Sequence, residues 1–241
     1  MKPLLSLVFP AYNEEKRLPA TLEQVVKFIQ AQPYSIEVLV IENGSTDRTY
    51  EIASSYAERY PQICVLQNKE RGKGLAVRQG MLAARGEYRF MCDVDLSMRI
   101  QEVNRFLPPA VDSFDIAIAS REAPGAVRFD EPQYRHLVGR GYNLLIRLMA
   151  LPGLHDTQCG FKCFRGEIAE RFFPLQTLAG WAFDVEVLYI GRLHGCRIVE
   201  VPIHWYFNHD SKVRVVHDAV QMGRDLLKIR LNAWRGLYGK K

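Results

Sequence analysis

Residues 88–97 read YRFMCDVDLS, an apolar run that ends on two carboxylates one residue apart, Asp93 and Asp95. Side chains at i and i+2 of a strand share a face, so a strand built from Tyr88, Phe90 and Met91 would bring both carboxylates to one spot at its carboxyl edge. Like charges so placed repel unless a cation joins them. A hard divalent ion, Mg2+ or Mn2+, is the usual solution, held by one or two carboxylates while substrate phosphates complete its shell. The alternative is a solvated Asp-rich turn that stops the strand.

Outward from this stretch the chain alternates buried-strand patterns with helical ones. LLSLVFPAYN (4–13), IEVLVIENGSTD (36–47), ICVLQN (63–68) and FDIAIASR (114–121) read as further strands. Between them lie segments of helical period with start and stop signals: Pro19 before Leu22, Val25 and Ile29; Ser45, Thr46 and Asp47 before Ile52, Ala53 and Tyr56; Gly74 before Leu75 and Met81, closed by Gly86. That alternation predicts an α/β fold with a mostly parallel central sheet flanked by helices. Ligands of such sheets bind over the carboxyl ends of the strands, which is where AYNEE, ENGSTD, CDVD and ASR fall. Without a repeat or low-complexity linker, residues 1–210 read as one domain, and 211–241 as a C-terminal basic amphipathic helical segment.

The chain has 241 residues, 48% hydrophobic and 24% charged, enough to bury one good core. No signal peptide or run of 18 uncharged apolar residues is present. Five cysteines without paired spacing indicate neither a disulfide framework nor a zinc site, and suggest reduced thiols in a cytoplasmic protein. Residues 212–241 carry eight Lys or Arg against two Asp, a net of +6 against +5 for the whole chain. Together with an apolar stripe through Val216, Ala219, Leu226 and Ile229, and with Trp234 and Tyr238 near its end, this segment suits an anionic membrane surface, or else a helix packed on the core with a charged outer face. No nucleic-acid partner is expected.

RGKG (71–74) is no Walker loop, since Gln67 stands where the first glycine would be, and Val77 breaks a dinucleotide fingerprint. A backbone nest with Lys73 near a helix start remains, suited to one phosphate group. A sugar nucleotide would use these parts. Charge builds on its diphosphate as the anomeric bond breaks, and a metal on Asp93 and Asp95, with Lys73 nearby, would neutralise it.

In order along the chain, FPAYNEE (9–15), ENGSTD (42–47), RGKG (71–74) and DVD (93–95) resemble the family 2 glycosyltransferases of GT-A fold. DTQCGFK (156–162), WAFDVE (181–186), EVPIHW (200–205) and Ser211-Lys212 resemble the branch that glycosylates polyprenyl phosphates, dolichyl-phosphate glucosyltransferases first and mannose synthases next. The resemblance implies an inverting, metal-dependent hexosyltransferase with a nucleotide-sugar donor, UDP-glucose over GDP-mannose, and a polyprenyl phosphate acceptor. It implies donor contacts at Pro10, Tyr12, Asn13, Glu14, Glu42, Asn43, Lys73 and Asp93, with Asp93 and Asp95 on the metal. Arg121, Arg135 and Lys212 match the family's basic positions and would steer the acceptor phosphate; Asp156 and Asp184 would contact sugar or acceptor. A polyprenyl phosphate is already anionic at neutral pH, whereas a sugar hydroxyl would need a general base.

Two departures stand out. Glu42 and Asn43 replace the Asp-Asp of many relatives, and the chain starts just before its first strand, where eukaryotic relatives carry a membrane anchor. Docking on a lipid acceptor is therefore expected to be peripheral, at the cytoplasmic face. A nucleotidyltransferase would show a Gly-rich basic loop after the first strand, and an inactive binder would be expected to lose one of the carboxylates; neither pattern is seen.

Overall fold

Strand β1 (Leu5–Ala11) is buried on both faces, and the fold is built outward from it. Leu5, Leu7 and Phe9 enter one core layer, Val8 the other, so no polar face is left for solvent. The computed structural model describes residues 2–68, 70–208 and 215–239; the side chains of Arg135 and of residues 215–220 lie outside the description. After β1 come α1 (Leu18–Ala31), β2 (Ile36–Glu42), α2 (Thr49–Arg59), β3 (Ile63–Gln67), α3 (Lys73–Ala83), β4 (Tyr88–Met91) and β5 (Ile116–Ser120). The second half adds β6 (Val127–Phe129), α4 (Gln133–Met149), β7 (Lys162–Arg165), α5 (Gly166–Phe172), α6 (Phe183–Leu193), β8 (Ile198–Pro202), β9 (His204–Tyr206) and α7 (Val215–Trp234).

Seven strands form one sheet in the order β3-β2-β1-β4-β7-β5-β8. All pair in parallel except β7, which is antiparallel to both its neighbours. Helices α1 and α2 cover one face, and α3, α5, α6 and α7 the other. Strands β6 and β9 make a separate two-stranded ribbon. The chain order turns back between β1 and β4, the switch point at which a parallel sheet opens a crevice.

Two expectations change. Strand β4 ends at Met91, so Asp93 and Asp95 sit not on a strand but in the turn beyond it, where Leu96 has φ +44° and the Ser97 N–H donates to Asp95 Oδ1 at 3.1 Å. Two like charges gain more from that turn, with its local amide donor, than from a ladder that would fix them side by side. In the C-terminal segment, Tyr238 is no interfacial aromatic. It is buried, and its hydroxyl donates to Glu186 Oε1 at 2.7 Å. Helix α7 packs inward through Met222, Leu226 and Ile229.

Candidate active site

Across the carboxyl edge of the sheet the functional clusters stand in strand order: Asn43 after β2, Tyr12 after β1, Asp93 after β4, Gly160 and Lys162 at the start of β7, Arg121 after β5. Strand β7 joins them because it runs backwards, so its first residue, Lys162, pairs with the last of β4, Met91. Four strand spacings span roughly 19 Å, the reach of an extended sugar nucleotide. A cavity of about 660 Å³ opens along this edge, within the usual range for small-molecule sites.

At the β1–β2 end, Pro10, Tyr12, Glu14 and Asn43 line the cavity. Asn13 and Glu42 do not line it; they shape it. Asn13, at φ +51°, accepts from Thr46 N at 2.9 Å, and Glu42 Oε1 accepts from Ser45 N at 2.5 Å, which together hold the 42–47 turn. Asn43 Oδ1 accepts from Gly72 N at 3.2 Å and so ties that turn to the RGKG loop. The Arg71 guanidinium lies 4.1 Å from the Tyr12 ring centre, a cation placed where a diphosphate or base would pass.

Lys73 opens α3 and meets the carboxylate pair, its Nζ 2.7 Å from Asp93 Oδ1. Burial alone would lower its pKa, but Asp93, Asp184 and Asp95 together outweigh that and raise it, so Lys73 stays charged. Asp95 is pushed above the usual carboxylate range, first by burial and then by the charge of Asp93. A pair of hard oxygen donors under mutual repulsion is the donor set that Mg2+ or Mn2+ takes. Room for it is kept by Gly160, where an added Cβ would lie 1.8 Å from Asp93 Oδ2. Gly160→Ala is therefore expected to displace the Asp93 carboxylate and weaken metal and donor binding by about 10-fold or more; titrating Mn2+ into the variant checks this, and unchanged affinity would show that the carboxylate has space elsewhere. Among the described residues no group of three or more His, Cys, Asp and Glu is gathered that could hold a metal by itself, so the remaining ligands would be substrate oxygens and water.

Asp184, at the start of α6, lines the cavity above a buried lysine: Lys162 Nζ is 3.0 Å from Asp184 Oδ1 and 2.5 Å from the Cys159 carbonyl. Lys162 thus gives the buried Asp184 Oδ1 a counter-charge at close range. Burial raises the Asp184 pKa, and Lys162 and Lys73 offset only part of that rise. Glu186, two residues on, is turned away; it accepts from Thr177 N and Leu178 N and braces the loop against which RGKG packs.

At the β5 end Arg121 lines the cavity and forks onto Asp156, Nε to Oδ2 at 2.6 Å and Nη2 to Oδ1 at 2.9 Å. Asp156 is fully buried and does not reach the cavity. Burial opposes its charge, but the Arg121 guanidinium prevails and holds its pKa at about 2. Trp205 lies under both Arg121 and Arg128, 5.2 and 5.8 Å from the ring centre. The Arg135 side chain and the whole of Lys212 lie outside the described residues.

The cavity also includes Arg17, Arg71, Arg128 and Trp181, which the sequence did not single out as site residues. Trp181 stands 4.8 Å from Lys73 Nζ, measured to the ring centre. Arg71 could have been noticed beside Lys73; Arg128 sits in an edge ribbon with no sequence signature.

The family model described as Glycosyl transferase family 2 matches residues 6–173. The dolichyl-phosphate beta-glucosyltransferase of Dictyostelium discoideum is 34% identical over 97% of this chain and 76% of its own length; the Homo sapiens protein of that name is 35% identical over 96% and 77%. Among solved structures, the glucosyl-3-phosphoglycerate synthase of Mycobacterium tuberculosis with uridine-diphosphate aligns with a TM-score of 0.67 at 18% identity, covering 99% of this chain and 81% of that one. Its complex with Mn2+, uridine-diphosphate-glucose and phosphoglyceric acid gives 0.66 at 17% identity, covering 99% and 81%. That likeness establishes the fold, the GT-A arrangement expected from the strand–helix alternation and the motif order.

Proposed function

The chain belongs to glycosyltransferase family 2, and from that premise we propose that it moves glucose from UDP-glucose to a polyprenyl phosphate of the dolichyl type, with inversion at the anomeric carbon. The observation that carries the reading is the likeness to dolichyl-phosphate beta-glucosyltransferases along nearly the whole chain, joined to a cavity with carboxylates at its middle and guanidinium groups at its far end. Asp93 and Asp95 would hold Mg2+ or Mn2+, which when bound neutralises charge building on the diphosphate leaving group. Lys73 adds a fixed cation beside it. Tyr12, Glu14 and Asn43 bind the nucleotide end. Arg121, held in one orientation by buried Asp156, meets the acceptor phosphate; Arg128 lies beside it in the cavity wall, paired with Glu122 and Glu131. We assign Asp156 to positioning Arg121, not to touching sugar. The acceptor is a lipid, so the enzyme works peripherally at a membrane's cytoplasmic face, a reducing compartment that suits five free cysteines. Among the described residues no helix is long and apolar enough to cross a membrane.

Product analysis with UDP-glucose, GDP-mannose and a short polyprenyl phosphate tests this. The expected product is a β-linked glucosyl phospholipid from the UDP donor, because one in-line displacement inverts an α-linked donor; an α-linked product by NMR would overturn the mechanism. A phosphate nucleophile needs no general base, so Asp184→Asn should retain measurable transfer, with a rate that falls below about pH 6 as the second phosphate ionisation is suppressed. A sugar hydroxyl acceptor would instead make that variant about 10²- to 10⁴-fold slower.

A further inference from the structure

The amides of both glycines in RGKG are engaged inside the protein. Gly72 N–H donates to Asn43 Oδ1 at 3.2 Å, and Gly74 N–H donates to the Ala179 carbonyl at 2.8 Å. The side chains of Arg71 and Lys73 line the cavity, and where these cations stand depends on how the loop is seated. Its seat is the segment 176–179. Gln176 Nε2 donates to the Gly74 carbonyl at 2.9 Å, and a Cβ added at Gly72 or Gly74 would meet Ala179 O at 2.7 Å or Leu178 O at 2.6 Å. Trp181, just beyond this segment, faces Lys73 Nζ.

The seat is in turn held by Glu186 of α6, whose carboxylate is fully buried. It accepts from Thr177 N at 3.0 Å, Thr177 Oγ1 at 2.6 Å, Leu178 N at 2.8 Å and the Tyr238 hydroxyl at 2.7 Å. Asn232 Nδ2 closes the set, donating to Thr177 Oγ1 at 3.0 Å and to the Tyr238 hydroxyl at 3.4 Å. Two amides and two hydroxyls thus reach Glu186, none of them charged. Burial opposes a carboxylate so surrounded, and apolar contacts would join the same three segments more readily. What four directed donors add is position, the property that a site's supporting residues have to supply.

We propose that Glu186, Asn232 and Tyr238 are positioning residues for the donor diphosphate, through which the end of α7 and the turn after it set the place of Lys73. The proposal rests on the sugar-nucleotide donor named above. It ties the last part of the chain to donor binding and not to the acceptor. Arg121, at the other end of the cavity, has Asp156 and Trp205 as its partners and shares none with this network.

The test is calorimetric binding of UDP to the full chain with Mn2+, alongside steady-state transfer to a short polyprenyl phosphate. Tyr238→Phe keeps the buried ring and removes one donor to Glu186; Thr177→Val, at an exposed position, removes another. Each should weaken UDP binding and raise the KM for UDP-glucose about 5-fold or more, a share of what a hydrogen bond to a charged group contributes. The KM for the acceptor should stay within about two-fold. Thr177→Ser keeps the hydroxyl and should bind UDP as the wild type does. In a Lys73→Met background Thr177→Val should change UDP binding by less than about two-fold, because substitutions that act through one group do not add. A lower Tm with unchanged UDP affinity in Tyr238→Phe and Thr177→Val would overturn the proposal and leave the network to the fold alone. So would an undiminished effect of Thr177→Val in the Lys73→Met background. If the wild type binds UDP but transfers nothing to the lipid phosphate, the acceptor reading falls and the positioning proposal stands.

Discussion

Asp95→Ala should remove nearly all turnover, a loss of about 10³-fold or more, while the protein stays folded. The two halves of that expectation have separate causes. A metal that neutralises a leaving diphosphate contributes several kcal/mol to the transition state alone, and Asp95 is half of the protein's own ligand pair. Yet the folded protein holds this carboxylate at a cost, with its pKa raised by burial and by Asp93. Deleting it relieves repulsion, so the melting temperature should hold or rise. Asp93→Ala is expected to be as inactive but less stable, because Asp93 also pairs Lys73, whose side chain is only 19% exposed. Excess EDTA should silence the wild type, and Mg2+ or Mn2+ should restore it. Full turnover in EDTA would take the metal out of the mechanism and leave Lys73 as the diphosphate's main counter-charge.

The parts of the site that the sequence disclosed are those whose chemistry is local. Asp93 and Asp95 are separated by a single residue, and RGKG announces a turn, a cation and a helix start within four residues. Strand β1 was legible because a strand buried on both faces is apolar along nearly its whole length, Ser6 being the exception. What stayed hidden depends on contacts between distant segments. Nothing in DTQCGFK says that Lys162 begins a reversed strand, yet only the antiparallel insertion of β7 between β4 and β5 brings Lys162 under Asp184 and Gly160 against Asp93. Glu186 and Tyr238 are 52 residues apart in the chain and share one buried hydrogen bond. A basic helix end with two aromatics reads as interfacial, and packing decides that only Trp234 faces out.

Helix α4 shows the limit most plainly. Its apolar stripe is visible in the sequence, but periodicity gives the width of a face and not its direction. The ordinary assumption, that such a stripe covers the core, fails here because Asn143 and Ile146 take the inner side.

Arg121→Ala is expected to cost about 3–5 kcal/mol of stability and to abolish transfer to a lipid phosphate. The guanidinium is the partner of a fully buried carboxylate, and its removal leaves Asp156 with the Arg121 and Gln158 backbone amides and the more distant charge of Lys162. Acid titration gives the sign. In the wild type the folded-state pKa of Asp156, about 2, lies below its ordinary value of 3.8. The pair's contribution, about 2 kcal/mol by linkage, is thus present above pH of about 4 and lost as pH falls toward 2. In Arg121→Ala burial outweighs the remaining amides and the Lys162 charge, the folded-state pKa rises above the unfolded one, and the penalty present at neutral pH is relieved on acidification. Urea midpoints of the two proteins should therefore converge as pH falls from about 7 to 4. Parallel curves would mean that Asp156 keeps an ordinary carboxylate pKa in the variant, hydrated or held by the remaining backbone amides. Stability and function separate in Arg121→Met with Asp156→Leu, where an apolar pair of similar volume should recover most of the stability without restoring a cation to the cavity. If that double variant also transfers glucose at the wild-type rate, Arg121 serves the fold alone and the acceptor phosphate is met by Arg128.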